Sequence, residues 1–209
     1  MIIHSFLWKG KSILKNTKPK YKQIIDAAVI VIAEHGYHQA QVSKIAKQAN
    51  VADGTIYLYF KNKEDILISL FQEKMGEFVE KIEDEINEVQ SASEKLSVLI
   101  KTHFDIMSSD PHLAIVTQLE LRQSNKDLRL KINEVLKGYL KLVDSVLKEG
   151  INNGEFKSNL NYKLARQMIF GTLDEIVTTW VMNEQKYSLQ NLTDEIHTLF
   201  IAGLAQGKG

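Results

Sequence analysis

A chain of 209 residues, 44% apolar and 25% charged, has material for one large core or two small ones. It contains no cysteine, which excludes disulfides, thiolate metal sites and cysteine nucleophiles. The net charge of zero conceals an asymmetry: residues 1–63 hold ten lysines against three acids (Asp26, Glu34 and Asp53), a net of +7, and the rest carries −7. A basic end on an acidic body suggests a polyanion partner for that end alone. All three arginines, Arg122, Arg129 and Arg166, lie in the acidic body. No apolar run reaches the roughly 18 residues of a membrane span. Residues 1–8 lack the basic region, apolar core and cleavage site of a signal peptide. The expectation is a cytoplasmic protein with no membrane partner.

In chain order, residues 1–18 show no periodicity and carry Lys9, Lys11, Lys15 and Lys18. They read as a flexible basic extension, either an arm for DNA phosphates or simply unstructured. Ile24, Ala28 and Ile32 then recur every four residues with Ile25 and Val29 beside them, an amphipathic helical stripe. Gly36 can end it in a left-handed conformation. A short helix over 42–49 puts Val42, Ile45, Ala46 and Ala49 on one face, and Asn50 tolerates the left-handed turn that follows. A second short helix takes 54–60. Ile66, Leu67, Leu70, Phe71, Phe78 and Ile82 continue helically from Glu64, and residues 91–93 break the pattern. Further helices are expected from Leu96 to about Ser108 and over 113–122, 128–151, 164–182 and 189–204. The run Asn152-Asn153-Gly154 stops the longest of them. Nine helices, no convincing strand and no repeat make the chain all-α.

Function shows in the stretch Val42-Ser-Lys-Ile-Ala-Lys-Gln-Ala-Asn-Val-Ala-Asp-Gly-Thr-Ile-Tyr-Leu-Tyr-Phe60. Two short helices joined by a tight turn make a helix-turn-helix. Ile45, Ala46, Ala49, Val51, Ile56 and Phe60 fix the crossing, and the small Ala46 permits close approach. The second helix then suits a DNA major groove. Hydroxyls and lysines on one face position a duplex. The alternative is that Tyr57 and Tyr59 are core aromatics.

These residues resemble the TetR family of regulators, whose pattern is roughly I-A-x-x-A-G-V-S-x-G-T-x-Y-x-H-F-x-x-K-E-x-L. The chain has Ile45, Ala46, Ala49, Val51, Gly54, Thr55, Tyr57, Phe60, Lys63, Glu64 and Ile66-Leu67 in those places. It departs at Gln41, where a capping threonine is usual, at Asn50 for the turn glycine, at Ala52 for a capping serine, which Asp53 could replace, and at Tyr59 for a histidine. The resemblance implies a nine-helix fold with a helix-turn-helix domain over 19–65 and a larger ligand-binding and dimerisation domain over 66–209. It implies DNA contacts from Ser43, Lys44, Gly54, Thr55, Tyr57, Tyr59 and Lys63. It also implies a homodimer on a palindromic operator, joined through the last two helices, with Leu173, Val177, Leu199 and Ile201 as candidates.

The runs Gln118-Leu-Glu-Leu-Arg-Gln-Ser-Asn125, Ala165-Arg-Gln-Met-Ile-Phe-Gly-Thr172 and Thr178-Thr-Trp-Val-Met-Asn183 are similar to the fatty-acid-degradation repressors within this family. That resemblance implies long-chain acyl-CoA as the effector that releases DNA. On residue chemistry alone, Phe104, Met107, Val116, Leu119, Met168, Phe170 and Trp180 can line an alkyl tunnel or be ordinary core. Arg122 and Arg129, with Gln123 and Lys126 between them, can cradle phosphates or form surface ion pairs with Glu120 or Asp127. Arg166, on an apolar helix, is expected to pair with an acid inside the fold. The six histidines show no metal spacing, and no nucleophile–base set, phosphate loop or paired-carboxylate site stands out. No catalytic cofactor, metal or enzyme activity is expected. The alternatives are a repressor answering to another hydrophobic small molecule, or an acyl-CoA- or lipid-binding protein that does not bind DNA.

Overall fold

The structure is a computed structural model in which residues 19–206 are described; the basic extension expected over 1–18 lies outside them. Nine α-helices and one short 3-10 turn carry the described residues, and the single strand-like pairing among them is an isolated bridge between Phe156 and Ala205. The chain divides into two compact units, Met1–Leu70 and Phe71–Gly209.

In the first unit, α1 (Pro19–Gln39) buries Tyr21, Ile24, Ile25, Ala28 and Ile32, the stripe that the four-residue spacing predicts. Proline suits the opening because its missing N–H would be unsatisfied there anyway. Gly36, at φ 71° and ψ 153°, interrupts the helix in a conformation that only glycine adopts readily. Helix α2 (Val42–Gln48) buries Ile45 and Ala46. Asn50, at φ 49°, makes the left-handed turn, and the Val51 amide donates back to the Ala46 carbonyl at 3.0 Å. Gln41 gives α2 no side-chain cap, as its departure from threonine leads one to expect.

The structure departs from the sequence expectation at two points. The second short helix, expected over 54–60, is only α3 (Asp53–Ile56). Beyond it the chain tightens into turns, with the Leu58 amide bonding the Thr55 carbonyl and the Tyr59 amide bonding the Ile56 carbonyl. The tightening lets Phe60 drop into the core, where it stacks on Tyr21 with ring centroids 5.2 Å apart. Nor does Asp53 cap α3; Ala52 occupies the cap position without a side-chain bond. The next helix, α4 (Lys63–Asn87), is capped well. Asn62 Oδ1 accepts from the Asp65 amide at 2.8 Å, and Asp65 Oδ2 accepts from the Lys61 amide at 2.9 Å.

The second unit is built around α5 (Ala92–Ser109), which packs against α6 (Pro111–Glu120), α7 (Lys126–Asn152), α8 (Tyr162–Met182) and α9 (Thr193–Leu204). Four of these helices start on local signals. Ser91 and Glu94 form a reciprocal capping box, Asp110 caps α6 ahead of Pro111, Asn125 caps α7 and Asn161 caps α8. Gly154, at φ 82°, ends α7 where the Asn-Asn-Gly run predicts.

Candidate DNA-reading surface and ligand cavity

In the first unit, Ser43, Lys44, Gly54 and Tyr57 are exposed or partly so, and Thr55 and Tyr59 are half-buried. Tyr57 has no core role, being 58% exposed. Tyr59 is partly structural, with its ring 6.5 Å from that of Tyr21. Lys63 serves the fold as well. Its ammonium donates to the carbonyls of Tyr37 and His38, both at 2.9 Å, and sits 4.7 Å from the Tyr37 ring centroid. A cation at the end of α1, beyond the Gly36 break, satisfies carbonyls that the helix leaves over. Leu58, 75% exposed on the same turn, is not foreseen from the sequence, because a leucine beside two tyrosines looks like core.

In the second unit, a cavity of about 30 Å³ lies among α4, α5, α6, α7 and α8. Phe71, Met75, Phe78, Met107, Leu121, Leu136 and Phe170 supply its apolar wall, and His103, Thr117, Gln118, Tyr139 and Asp174 its polar groups. Of the residues expected to line a tunnel, only Met107 and Phe170 do so. Phe104 and Val116 are fully buried without lining it. Trp180 is buried elsewhere and donates through Nε1 to the Tyr187 carbonyl at 2.7 Å. Leu119 and Met168 are 50% and 58% exposed. An apolar stripe does not show which of its members faces a gap. The signal that does is a polar residue inside such a stripe: His103 between Ile100 and Phe104, Tyr139 in α7 and Asp174 in α8.

Asp174 connects the cavity to the arginines. One carboxylate oxygen accepts from Arg122 Nη2 at 2.6 Å, although the Arg122 side chain remains 61% exposed. Its other oxygen lies 2.9 Å from the Gln118 amide nitrogen, once that amide is oriented to face acceptors. Arg122 thus pairs with Asp174, a residue of the cavity lining, and its side chain is largely exposed. Arg129 donates to the carbonyls of Gln123 and Ser124, which fixes the turn between α6 and α7. Gln123 is buried and bonds the Glu120 carboxylate at 2.6 Å, so its side chain faces the protein; Lys126 is exposed. Arg166 pairs with Asp144 at 2.9 Å, as expected of a guanidinium on an apolar helix.

His103 Nδ1 lies 3.0 Å from the Tyr139 hydroxyl, and Nε2 has no partner. Burial pushes the imidazole pKa down to about 4, so the ring is neutral near pH 7. Burial, reinforced by the negative charge of Asp174, pushes the Tyr139 phenol up, so it too stays neutral.

A second concavity, of about 140 Å³, runs between α8 and α9, with Leu164, Met168, Ile169, Leu199 and Phe200 among its lining. Leu164, Met168 and Leu199 are 54%, 58% and 67% exposed. Ile201 is half-buried. Leu173 and Val177, expected at a dimer interface, are instead fully buried in the chain's own core. They alternate around α8 with the residues that face outward, and composition does not separate the two faces.

No cluster of three or more His, Cys, Asp or Glu side chains among the described residues could hold a metal, and no described helix is long and apolar enough to cross a membrane.

Comparison with known proteins covers both units. The family model for bacterial regulatory proteins of the TetR family matches residues 24–70, and the model for the YsiA-like protein C-terminal region matches residues 71–203. The chain is 65% identical over 191 residues to the fatty acid metabolism regulator protein of Bacillus subtilis, covering 91% of this chain and 98% of that one. Among solved structures, the Bacillus subtilis transcriptional regulator FadR in complex with stearoyl-CoA is 66% identical with a TM-score of 0.86, covering 88% of this chain and 98% of that chain. The fatty acid degradation regulator FadR from Bacillus halodurans matches with the same identity and TM-score over 88% and 99% of the two chains. A helix-turn-helix on one compact unit and a cavity-bearing helical body on the other, each matched by its own model, place this chain in the TetR family of bacterial transcriptional regulators.

Proposed function

We propose that this protein is a cytoplasmic repressor of fatty-acid degradation genes that binds a palindromic operator as a homodimer and is released by long-chain acyl-CoA. The observation that supports the ligand most directly is Arg122 hydrogen-bonded to Asp174 on the wall of an apolar cavity. A largely exposed arginine bound to a lining carboxylate suits phosphates, and Met and aromatic side chains within suit a flexible alkyl chain. The stearoyl-CoA complex of the relative at 66% identity supports the same chemistry. No catalytic role enters this reading.

On the DNA side, Tyr57 and Lys44 are the exposed groups to test. Tyr57→Ala should weaken operator binding by about tenfold, the loss of a hydrogen bond to a charged group. Lys44→Ala should flatten the salt dependence by about one unit of slope, as one phosphate contact disappears. Both variants should melt with wild-type cooperativity. A salt-dependent titration that finds both at wild-type affinity removes this face from the interface. Leu58, exposed beside Tyr57, offers an apolar contact for a thymine methyl.

On the dimer side, a palindrome needs two reading heads held by one symmetric interface. The apolar concavity between α8 and α9, flanked by exposed Leu164, Met168 and Leu199, supplies a self-complementary face. Met168→Glu with Leu199→Glu places like charges and desolvated carboxylates there. Sedimentation should show a wild-type dimer at micromolar concentration and a folded monomeric variant. A wild-type monomer, or a variant still dimeric, defeats this assignment.

A further inference from the structure

Five of the residues that line the cavity of the second unit carry polar side chains, and the polar groups of four of them have intramolecular partners. The Thr117 hydroxyl bonds the carbonyls of Leu113 and Ala114. The Gln118 amide nitrogen faces Thr178 Oγ1 and Asp174 Oδ1. Asp174 also holds Arg122. The Tyr139 hydroxyl meets His103 Nδ1 at 3.0 Å. The exception is His103 Nε2, shielded from solvent and without a partner. A buried unmatched group is costly, so its persistence on a cavity-lining residue points to a ligand atom that reaches it once the cavity opens.

The tautomer follows from counting protons. If Tyr139 donates its hydroxyl proton to Nδ1, one group is left over, an Nε2–H donor. If Nδ1–H donates to the phenol oxygen instead, both the phenol proton and Nε2 are left over. The first arrangement orphans one group rather than two, so Nε2 carries the proton. His103, a residue that lines the cavity, therefore buries one neutral N–H donor among apolar side chains. Such a donor suits a neutral acceptor. A carboxylate there would be desolvated without a counter-charge. An alkyl segment would leave the donor unmatched.

Resting on the acyl-CoA reading above, we propose that His103, held in one tautomer by Tyr139, donates from Nε2 to the thioester carbonyl oxygen of the acyl-CoA. That oxygen is the acceptor at the junction of alkyl chain and head group, and it carries no charge. Arg122 is bonded to Asp174 of the same lining, so the carbonyl would be held between a guanidinium for the phosphates and an apolar interior for the chain. His103 then sets how deep the chain enters and separates an acyl thioester from an alkyl thioether of equal length.

The test compares stearoyl-CoA with S-octadecyl-CoA, in which a methylene replaces the carbonyl. Binding to the full-length protein is measured by calorimetry below micelle formation. Wild type should prefer the thioester by about tenfold, the usual worth of one buried hydrogen bond. His103→Phe with Tyr139→Phe removes both polar groups while keeping the rings that pack against Phe78 and Phe170. That variant should bind both ligands alike, with the thioether at wild-type affinity. His103→Gln, which retains an N–H donor, should recover part of the preference and keeps the question answerable if the double variant fails to fold. Equal wild-type affinity for the two ligands, or a preference surviving in the double variant, overturns the assignment. If wild type binds neither ligand, the acyl-CoA reading itself falls and the inference with it.

Discussion

Long-chain acyl-CoA, added below its micelle concentration, is expected to lower the affinity of this protein for its operator on the order of 100-fold, toward the upper end of ordinary allosteric couplings. The reason is the size of the cavity. At about 30 Å³ it is far smaller than the roughly 300–1,000 Å³ that ligand pockets occupy, so an acyl chain enters only when the lining helices move apart. Ligand thus selects an opened packing of the body over the closed one. The release proposed here requires that the opened packing hold the two reading heads at a spacing less suited to successive major grooves. Linkage then demands that operator DNA weaken acyl-CoA binding by the same factor.

Free coenzyme A and free fatty acid should each act weakly, because each supplies half of the contacts. Arg122→Gln keeps a donor for Asp174 but removes the outward charge, and it should blunt the response about tenfold while leaving operator affinity intact. Arg129 is a less clean target, since its bonds to the Gln123 and Ser124 carbonyls also hold the turn between α6 and α7. The measurement is occupancy of a duplex selected by the protein from a random pool, with a detergent control. Occupancy that stays constant while calorimetry shows the ligand bound excludes acyl-CoA as the inducer.

The largest expected effect on stability lies at the end of α7. A Cβ built on Gly150 would stand 2.2 Å from Cδ2 and 2.5 Å from Cε2 of Phe156. That ring is 1% exposed and has nowhere to go. Its own amide donates to the Gly150 carbonyl at 2.8 Å, which ties ring and glycine together. The same corner anchors α5 and the C-terminal segment. The Glu155 carboxylate accepts from the Ala92 and Ser93 amides at 2.9 and 3.0 Å, while Lys157 donates its amide to the Leu204 carbonyl. Burial opposes ionisation of Glu155, but these amide bonds outweigh it and hold the carboxyl below its usual range. Gly150→Ala should therefore cost about 3 kcal/mol despite alanine's better helix propensity, and Gly150→Val more. Phe156→Ala should cost about 4 kcal/mol through the cavity it leaves. In the double variant Gly150→Ala with Phe156→Ala the clash is gone, so its cost should fall well below the sum. Urea unfolding at one fixed protein concentration measures all three. Additive losses would show that ring and glycine do not share the site.

Where the signal was local, the sequence sufficed. Residues 42–60 specify a helix-turn-helix through small and apolar side chains at fixed spacing and a left-handed Asn50, and the described structure has that turn. The helix starts at Asp110, Asn125 and Asn161 and the stop at Gly154 are likewise short-range, set by side chains that bond amides three residues on or by a backbone only glycine adopts easily. Which member of an apolar stripe faces a cavity, a partner or the protomer's own core depends instead on how helices distant in sequence rotate against one another. Periodicity marks a buried face but not what lies opposite it. Thus Leu173 and Val177 belong to the core, Met168 and Leu199 to the surface, and Phe104 sits beside the cavity residue His103 without lining the cavity itself. The polar pairs show the same limit. Arg122 bonds Asp174, 52 residues away, Lys63 bonds carbonyls 25 and 26 residues away, and His103 meets Tyr139 across 36. Such distances are bridged only after the helices pack, because no short-range rule ties a charge or a ring nitrogen to a partner on another helix.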